Sequence, residues 1–182
     1  MGWFRSPRWT EVVFWALDLE TNGLDARTAE ILSIGMVPIR RGTIRWGERW
    51  YTLVQPPVSD DAATAAVHVH ELLPDELDGA PALEALIPGI EERLAEGALL
   101  VHWRKLDVAV LRRIFREAGR SWPKPPIVDT ADLIGVLDRR RRVMEPEPEP
   151  TPTQLAAARE AFGLPPHLEH PALYDALATA EL

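Results

Sequence analysis

At 182 residues with 46% hydrophobic content, the chain is long enough to bury a sizeable core and falls in the range of one compact domain. It has no cysteine, which excludes disulfides, thiolate chemistry and cysteine zinc sites, so any metal must be held by oxygen or imidazole. A formal charge of −8, from 28 acids against 20 bases, argues against a protein that coats nucleic acid with a broad basic face; it leaves room for an enzyme that binds cations through carboxylates and phosphates through a few local arginines.

No apolar run reaches the roughly 18 residues that a membrane span needs. The opening "MGWFRSPRW" lacks the apolar core and small-residue cleavage site of a secretory signal, so a cytoplasmic protein with no membrane partner is expected. After an N-terminal extension over 1–10, "VVFWALDLE" is a continuous apolar run, rich in β-branched and aromatic residues, that predicts a central strand. Two further strands, Ile31 to Ile39 and Thr43 to Val54, are joined by a tight turn at Arg40 to Gly42, which makes an antiparallel meander.

From Asp60 the pattern turns helical, first at Ala62 to Ala66 and then at Leu83 to Ala95. "GALLVHW" predicts a fourth strand and Leu106 to Ala118 a helix; "PPIVDT" predicts a short fifth strand opening into a helix over Ala131 to Arg141. Helices at Thr153 to Phe162 and from Pro171 to the end complete the chain. This order predicts a single α/β domain over 1–182, with a mixed five-stranded sheet and helices on its faces.

Between the last helices lies "RRRRVMEPEPEPTP". Proline removes donors and fixes φ, so 143–152 reads as an extended, solvated connector rich in Pro and Glu. Arg139 to Arg142 read first as a charged helix end that complements the macrodipole, and second as a local phosphate contact.

The chemistry concentrates at the end of the first strand. Side chains two apart in a strand share a face, so Asp18 and Glu20 serve the same site. Two ionised carboxylates this close raise each other's pKa unless a cation lies between them, and a hard divalent ion such as Mg²⁺ or Mn²⁺ prefers oxygen donors. The plainer alternative is a solvated strand end before the turn "TNGLD". Asp107 repeats the arrangement at the start of an amphipathic helix, and "HPALYDALATAEL" places His170 five residues before Asp175 in the opening of another. Each acid thus falls where open α/β folds gather ligands.

These motifs, in this order, resemble those of the DnaQ-like 3′–5′ exonucleases of the DEDDh group. "DLETNGLD" is similar to the first exonuclease motif, "VHWRKLDVAVL" to the second and "HPALYDALATAEL" to the third in its histidine-containing form. "AAVHVHELLPDEL" resembles the intervening segment that carries a histidine, here His68, and "TPTQLAAAREAFGL" the helix before the third motif. The resemblance spans Val12 to Leu182 and implies a ribonuclease-H-like fold.

It also implies two divalent metal ions, Mg²⁺ or Mn²⁺, held by Asp18, Glu20, Asp107 and Asp175 directly or through water, with His170 as general base. The implied substrate is nucleic acid with a free 3′ end, single-stranded and with DNA favoured, shortened by release of nucleoside monophosphates. Thr21, Asn22 and Leu24 would approach the 3′-terminal nucleotide. His68 either touches substrate or caps a helix. Where the family has asparagine and phenylalanine in the second motif, this chain has Trp103 and Leu106. Trp103 reads either as a stacking surface for a base or as core filling, with the core preferred. Two alternatives stay open: a non-catalytic domain that binds nucleic acid or protein, and an RNA-trimming exoribonuclease. A polymerase or repair partner is compatible with the resemblance, but no segment names one, and the oligomeric state is not legible.

Overall fold

The computed structural model describes residues 7–55, 77, 79–145, 148–168 and 170–182. The helix expected over Ala62 to Ala66, and His68, lie outside the described residues. Six strands are described: β1 (Phe14–Thr21), β2 (Ile31–Arg40), β3 (Thr43–Ile44), β4 (Trp50–Leu53), β5 (Ala98–Val101) and β6 (Ile127–Asp129). The helices are α1 (Leu83–Glu96), α2 (Lys105–Glu117), α3 (Thr130–Met144), α4 (Leu155–Ala161) and α5 (Ala172–Glu181).

The sheet runs β3-β2-β1-β5-β6, with β4 also pairing β2. β1, β2, β3 and β4 are antiparallel neighbours, whereas β5 joins β1 and β6 joins β5 in parallel. This is the expected mixed sheet with its meander first. The third expected strand is broken: a 3₁₀ turn at Trp46–Glu48 separates β3 from β4, so the described strands number six rather than five. That turn lets Arg45 return its amide to the Pro38 carbonyl at 2.8 Å before β4 rejoins β2 further along.

The two faces of β1 follow its alternation. Trp15, Leu17 and Leu19 are buried with Ile34 and Met36 of β2 against Ile87, Ile90 and Leu94 of α1 and Val108, Leu111, Ile114 and Phe115 of α2. Each such side chain contributes about 1.5–3 kcal/mol on burial, which makes this face the main apolar core. The other face carries Asp18 and Glu20, opposite Gly35 and Ser33 of β2. α5 packs there closely enough that a β-carbon on Gly35 would overlap the Ala172 backbone. The short buried side chains Ala172, Ala176 and Thr179 permit that approach.

Two expectations are corrected. The helix expected to stop at Arg141 continues to Met144, so the first residues of the expected connector are helical. The connector is also tied back, since Thr151 donates its amide and hydroxyl to Asp138 of α3 at 2.9 and 2.7 Å. Among the described residues, no helix is long and apolar enough to cross a membrane.

Candidate active site

At the end of β1 the strand alternation sends Asp18 and Glu20 toward α5, and the first turn of α5 brings Asp175 to them. Asp18, Glu20 and Asp175 each offer a carboxylate oxygen within 4.8 Å of the others. Asp107, the third residue of α2, is buried beside them. Burial pushes the Asp18 pKa well above the usual carboxylate range, and the charges of Asp107, Glu20 and Asp175 push it further. The pKa of Asp107 is pushed up to about 7, first by burial and, among the neighbouring charges, by Glu20 and Asp129, against hydrogen bonds from its own amide and that of Leu19.

This donor set fits a divalent cation. All of its ligand atoms are carboxylate oxygens, which hard ions prefer, and its pKa values, raised first by burial and then by the neighbouring carboxylate charges, describe a buried negative cluster that a cation would neutralise. The four acids of the sequence motifs therefore come together, although they lie on three separate elements.

Two histidines flank Asp175. His167 donates from Nε2 to Asp175 Oδ1 at 2.9 Å, and the backbone amide of His170 donates to Oδ2 at 3.1 Å. His170 sits in the left-handed region at φ 81° and is exposed. Sequence reasoning missed His167. The signal was its place three residues before His170 in "PPHLEHP", the loop that enters α5. That loop is anchored from below by Arg159 of α4, whose side chain is 2% exposed. Its guanidinium donates to the carbonyls of Ala178 and Pro165, both at 2.9 Å, and pairs with Glu181 at 2.8 Å.

The turn between β5 and α2 is built on a second missed residue, Asp129. Its Oδ1 accepts the amides of Trp103 at 3.2 Å and Ala131 at 2.9 Å, and its Oδ2 accepts the amide of Arg104 at 3.0 Å. One carboxylate thus caps α3 and holds the turn that leads to Asp107. An acid just before a helical run is a cap signal, and "VDTAD" carries one. His102 beneath this turn pairs through Nδ1 with the Thr130 hydroxyl at 2.7 Å and through Nε2 with the Thr153 carbonyl at 2.8 Å. Burial holds its pKa below the ordinary value, so the imidazole is neutral, donating from Nε2 and accepting at Nδ1.

Trp103 corrects the preferred reading of that residue. It does not fill the core: it is 51% exposed, in the left-handed region at φ 60°, with its indole Nε1 on the Thr153 carbonyl at 2.7 Å. The amide held by Asp129 fixes this conformation and turns the ring outward. Leu106, by contrast, packs against the main core.

In the loop after β1, the Thr21 hydroxyl donates to the Gly23 carbonyl at 2.8 Å. Asn22 is engaged with Glu30 through its side-chain amide at 3.1 Å and through its Oδ1, which accepts the Glu30 amide at 2.8 Å. Leu24 projects into solvent at 89% exposure.

The exonuclease family model (RNase_T) matches residues 15–182, and the chain belongs to this family, the DnaQ-like 3′–5′ exonucleases. It is 28% identical over 173 residues to a PolC-type DNA polymerase III of Thermotoga maritima, covering 94% of this chain and 12% of that protein. It is 32% identical over 182 residues to a DNA polymerase III subunit epsilon-like protein of Rhodobacter capsulatus, covering 94% of this chain and 23% of that one. The chain thus spans about an eighth and about a quarter of these relatives. Among solved structures, the zinc-bound form of the E. coli ExoI complex with single-stranded DNA superposes with a TM-score of 0.76 at 19% identity, covering 93% of this chain and 39% of that one. That likeness establishes the ribonuclease-H-like fold.

Proposed function

We propose that the chain is a metal-dependent 3′–5′ exonuclease that releases nucleoside monophosphates from single-stranded nucleic acid, with DNA as the favoured substrate. The observation that carries this reading is the convergence of Asp18, Glu20 and Asp175 within 4.8 Å, with Asp107 buried beside them. The names of the relatives, a PolC-type DNA polymerase III and a DNA polymerase III subunit epsilon-like protein, support DNA over RNA and a working place beside a polymerase.

Asp18, Glu20 and Asp175, with Asp107 directly or through water, would hold two Mg²⁺ or Mn²⁺ ions. When bound, such ions neutralise the charge that builds on the phosphate and on the leaving 3′ oxygen. The chain's residues supply the rest. His170 takes a proton from the water that attacks the terminal phosphorus, the bond from phosphorus to the 3′ oxygen breaks, and that oxygen leaves on the shortened strand and takes a proton from solvent to become a hydroxyl. His167 and the His170 amide orient Asp175. Leu24 and the outward ring of Trp103 offer apolar surfaces for the terminal bases.

The test is release of labelled mononucleotides from a single strand with and without Mn²⁺. Metal-dependent release is expected, and Asp18→Ala and His170→Ala should each lower it by about a hundredfold or more while the fold is retained. Normal metal binding with no release of mononucleotides would overturn the reading.

A further inference from the structure

The outer face of α2 concentrates positive charge in a chain whose net charge is −8. Arg27, from the loop after β1, joins Arg104, Lys105, Arg112, Arg113 and Arg116 around one recess of about 620 Å³, and the other residues lining it are apolar. Helical spacing turns Asp107 toward the sheet and places Lys105, Arg112 and Arg116 on one outward stripe.

Some of these charges have partners: Arg27 pairs with Asp25 at 2.7 Å, Arg104 with Asp132 at 2.9 Å and Arg113 with Glu117 at 3.3 Å. Among the described residues, Lys105 and Arg112 have no carboxylate in ion-pairing range, and Arg116, 77% exposed, reaches Glu117 only at 4.0 Å. Arg112 also lies over the Trp122 ring, 5.8 Å from its centroid, but that contact accounts for one base only, and like charges four apart, as at Arg112 and Arg116, destabilise a helix.

The stripe begins near the acidic centre in the chain, because Arg104 and Lys105 lie three and two residues before Asp107 and Arg27 follows the strand that carries Glu20. From Lys105 to Arg116 the helix rises roughly 16 Å. That is the length of about five stacked nucleotides at ~3.4 Å per phosphate.

The geometry points to this recess as the track for the phosphodiester backbone upstream of the 3′ end, an inference that rests on the nuclease reading above. The backbone crosses the first turn of α2 at Arg104 and Lys105 and runs on past Arg112 and Arg116, held by charge and without regard to base sequence. In a chain of net charge −8, a local concentration of bases such as this one is where a polyanion is attracted.

Two double variants test it: Arg112→Glu with Arg116→Glu, and the milder Arg112→Gln with Arg116→Gln, each checked for an unchanged melting temperature. Binding of a labelled single strand of about 20 nucleotides, long enough to follow the whole stripe, is followed by fluorescence anisotropy in EDTA over a salt series. Turnover of a dinucleotide, which is too short to reach Arg112, is measured with Mn²⁺. The Gln pair should weaken strand binding about tenfold and lower the slope of log affinity against log salt by roughly 1.4, at about 0.7 for each phosphate that is no longer neutralised. Dinucleotide turnover should match the wild type.

Unchanged affinity and slope in both variants would overturn the track. So would competition by poly-glutamate as strong as that of unlabelled oligonucleotide, since the face would then suit an acidic polypeptide. If the wild type turns over neither substrate yet the variants lose strand binding, the nuclease reading fails and the track stands.

Discussion

The imidazole of His167 donates to Asp175 Oδ1 at 2.9 Å, while His170 reaches the same carboxylate only through its backbone amide, on Oδ2 at 3.1 Å. The motif histidine His170 and the preceding His167 therefore have separable roles. His167→Ala frees one oxygen of a metal ligand, so it should raise the Mn²⁺ concentration needed for half-maximal activity by about tenfold, a loss typical of an outer-shell partner. Its rate should recover at saturating metal, and His167→Asn should restore part of the affinity. His170→Ala should instead lower kcat with little change in the metal requirement. A metal titration of both variants checks this; equal kcat losses that no metal concentration repairs would show that His167 is not a ligand-positioning residue.

Asp107 has an ordinary carboxylate pKa of 3.8 when unfolded and titrates at about 7 in the folded chain. Between those values the folded state binds the proton more tightly than the unfolded state, so metal-free stability falls as pH rises through that window. The raised Asp18 acts with the same sign. In EDTA, the melting temperature should drop by several degrees from about pH 5 to about pH 7.5. Asp107→Asn should flatten part of that fall, and Mn²⁺ should reverse it in the wild type at the higher pH. A wild type that loses no more stability than Asp107→Asn across this range would contradict the raised pKa of Asp107.

Gly35 stands opposite Asp18 in the β1–β2 register and faces the first turn of α5. A methyl group there meets the Ala172 backbone, and backbone cannot rotate away. Gly35→Ala should cost about 2–3 kcal/mol of stability and move Asp175 away from Asp18 and Glu20. Activity should therefore fall further than the loss of folded protein explains, as the specific activity of the purified folded fraction would reveal.

With its outward ring and one hydrogen bond to a carbonyl, Trp103 contributes little to the core. Trp103→Ala should change stability by less than about 1 kcal/mol. Loss of a stacking surface worth ~1–3 kcal/mol per base should raise KM for a single strand several-fold or more, and Trp103→Phe should retain much of it. An unchanged KM in Trp103→Ala would remove the ring from the substrate path.

What the sequence reveals here follows from how local each feature is. β1, the meander and the acids at strand and helix starts depend on alternation and spacing, which are present in any short window. The 3₁₀ turn at Trp46–Glu48 is hidden because Ile44, Trp46 and Trp50 fall at alternate positions across it and satisfy a strand pattern. α3 outlasts its expected end because arginine is a good helix former and the proline that stops it comes only at 146. Trp103 departs from its expected place because ring size argues for burial, while a hydrogen bond from its backbone amide to Asp129, 26 residues away, sets its direction. The cap of Asp129 on α3 is local and legible, but its hold on Trp103 and Arg104, 26 and 25 residues away, and the contact of His167 with Asp175 are set by tertiary structure.

That single carboxylate at Asp129 has a consequence for how this protein tolerates change. Three amides at two helix starts depend on it, so Asp129→Ala would unfasten α3 and the turn before Asp107 in one step. In a saturation scan scored by activity, position 129 should rank with Asp18 and Asp175 as intolerant. Scored by folded abundance, it should fall alone, whereas the metal-binding acids should score at wild-type level or above once their mutual repulsion is relieved.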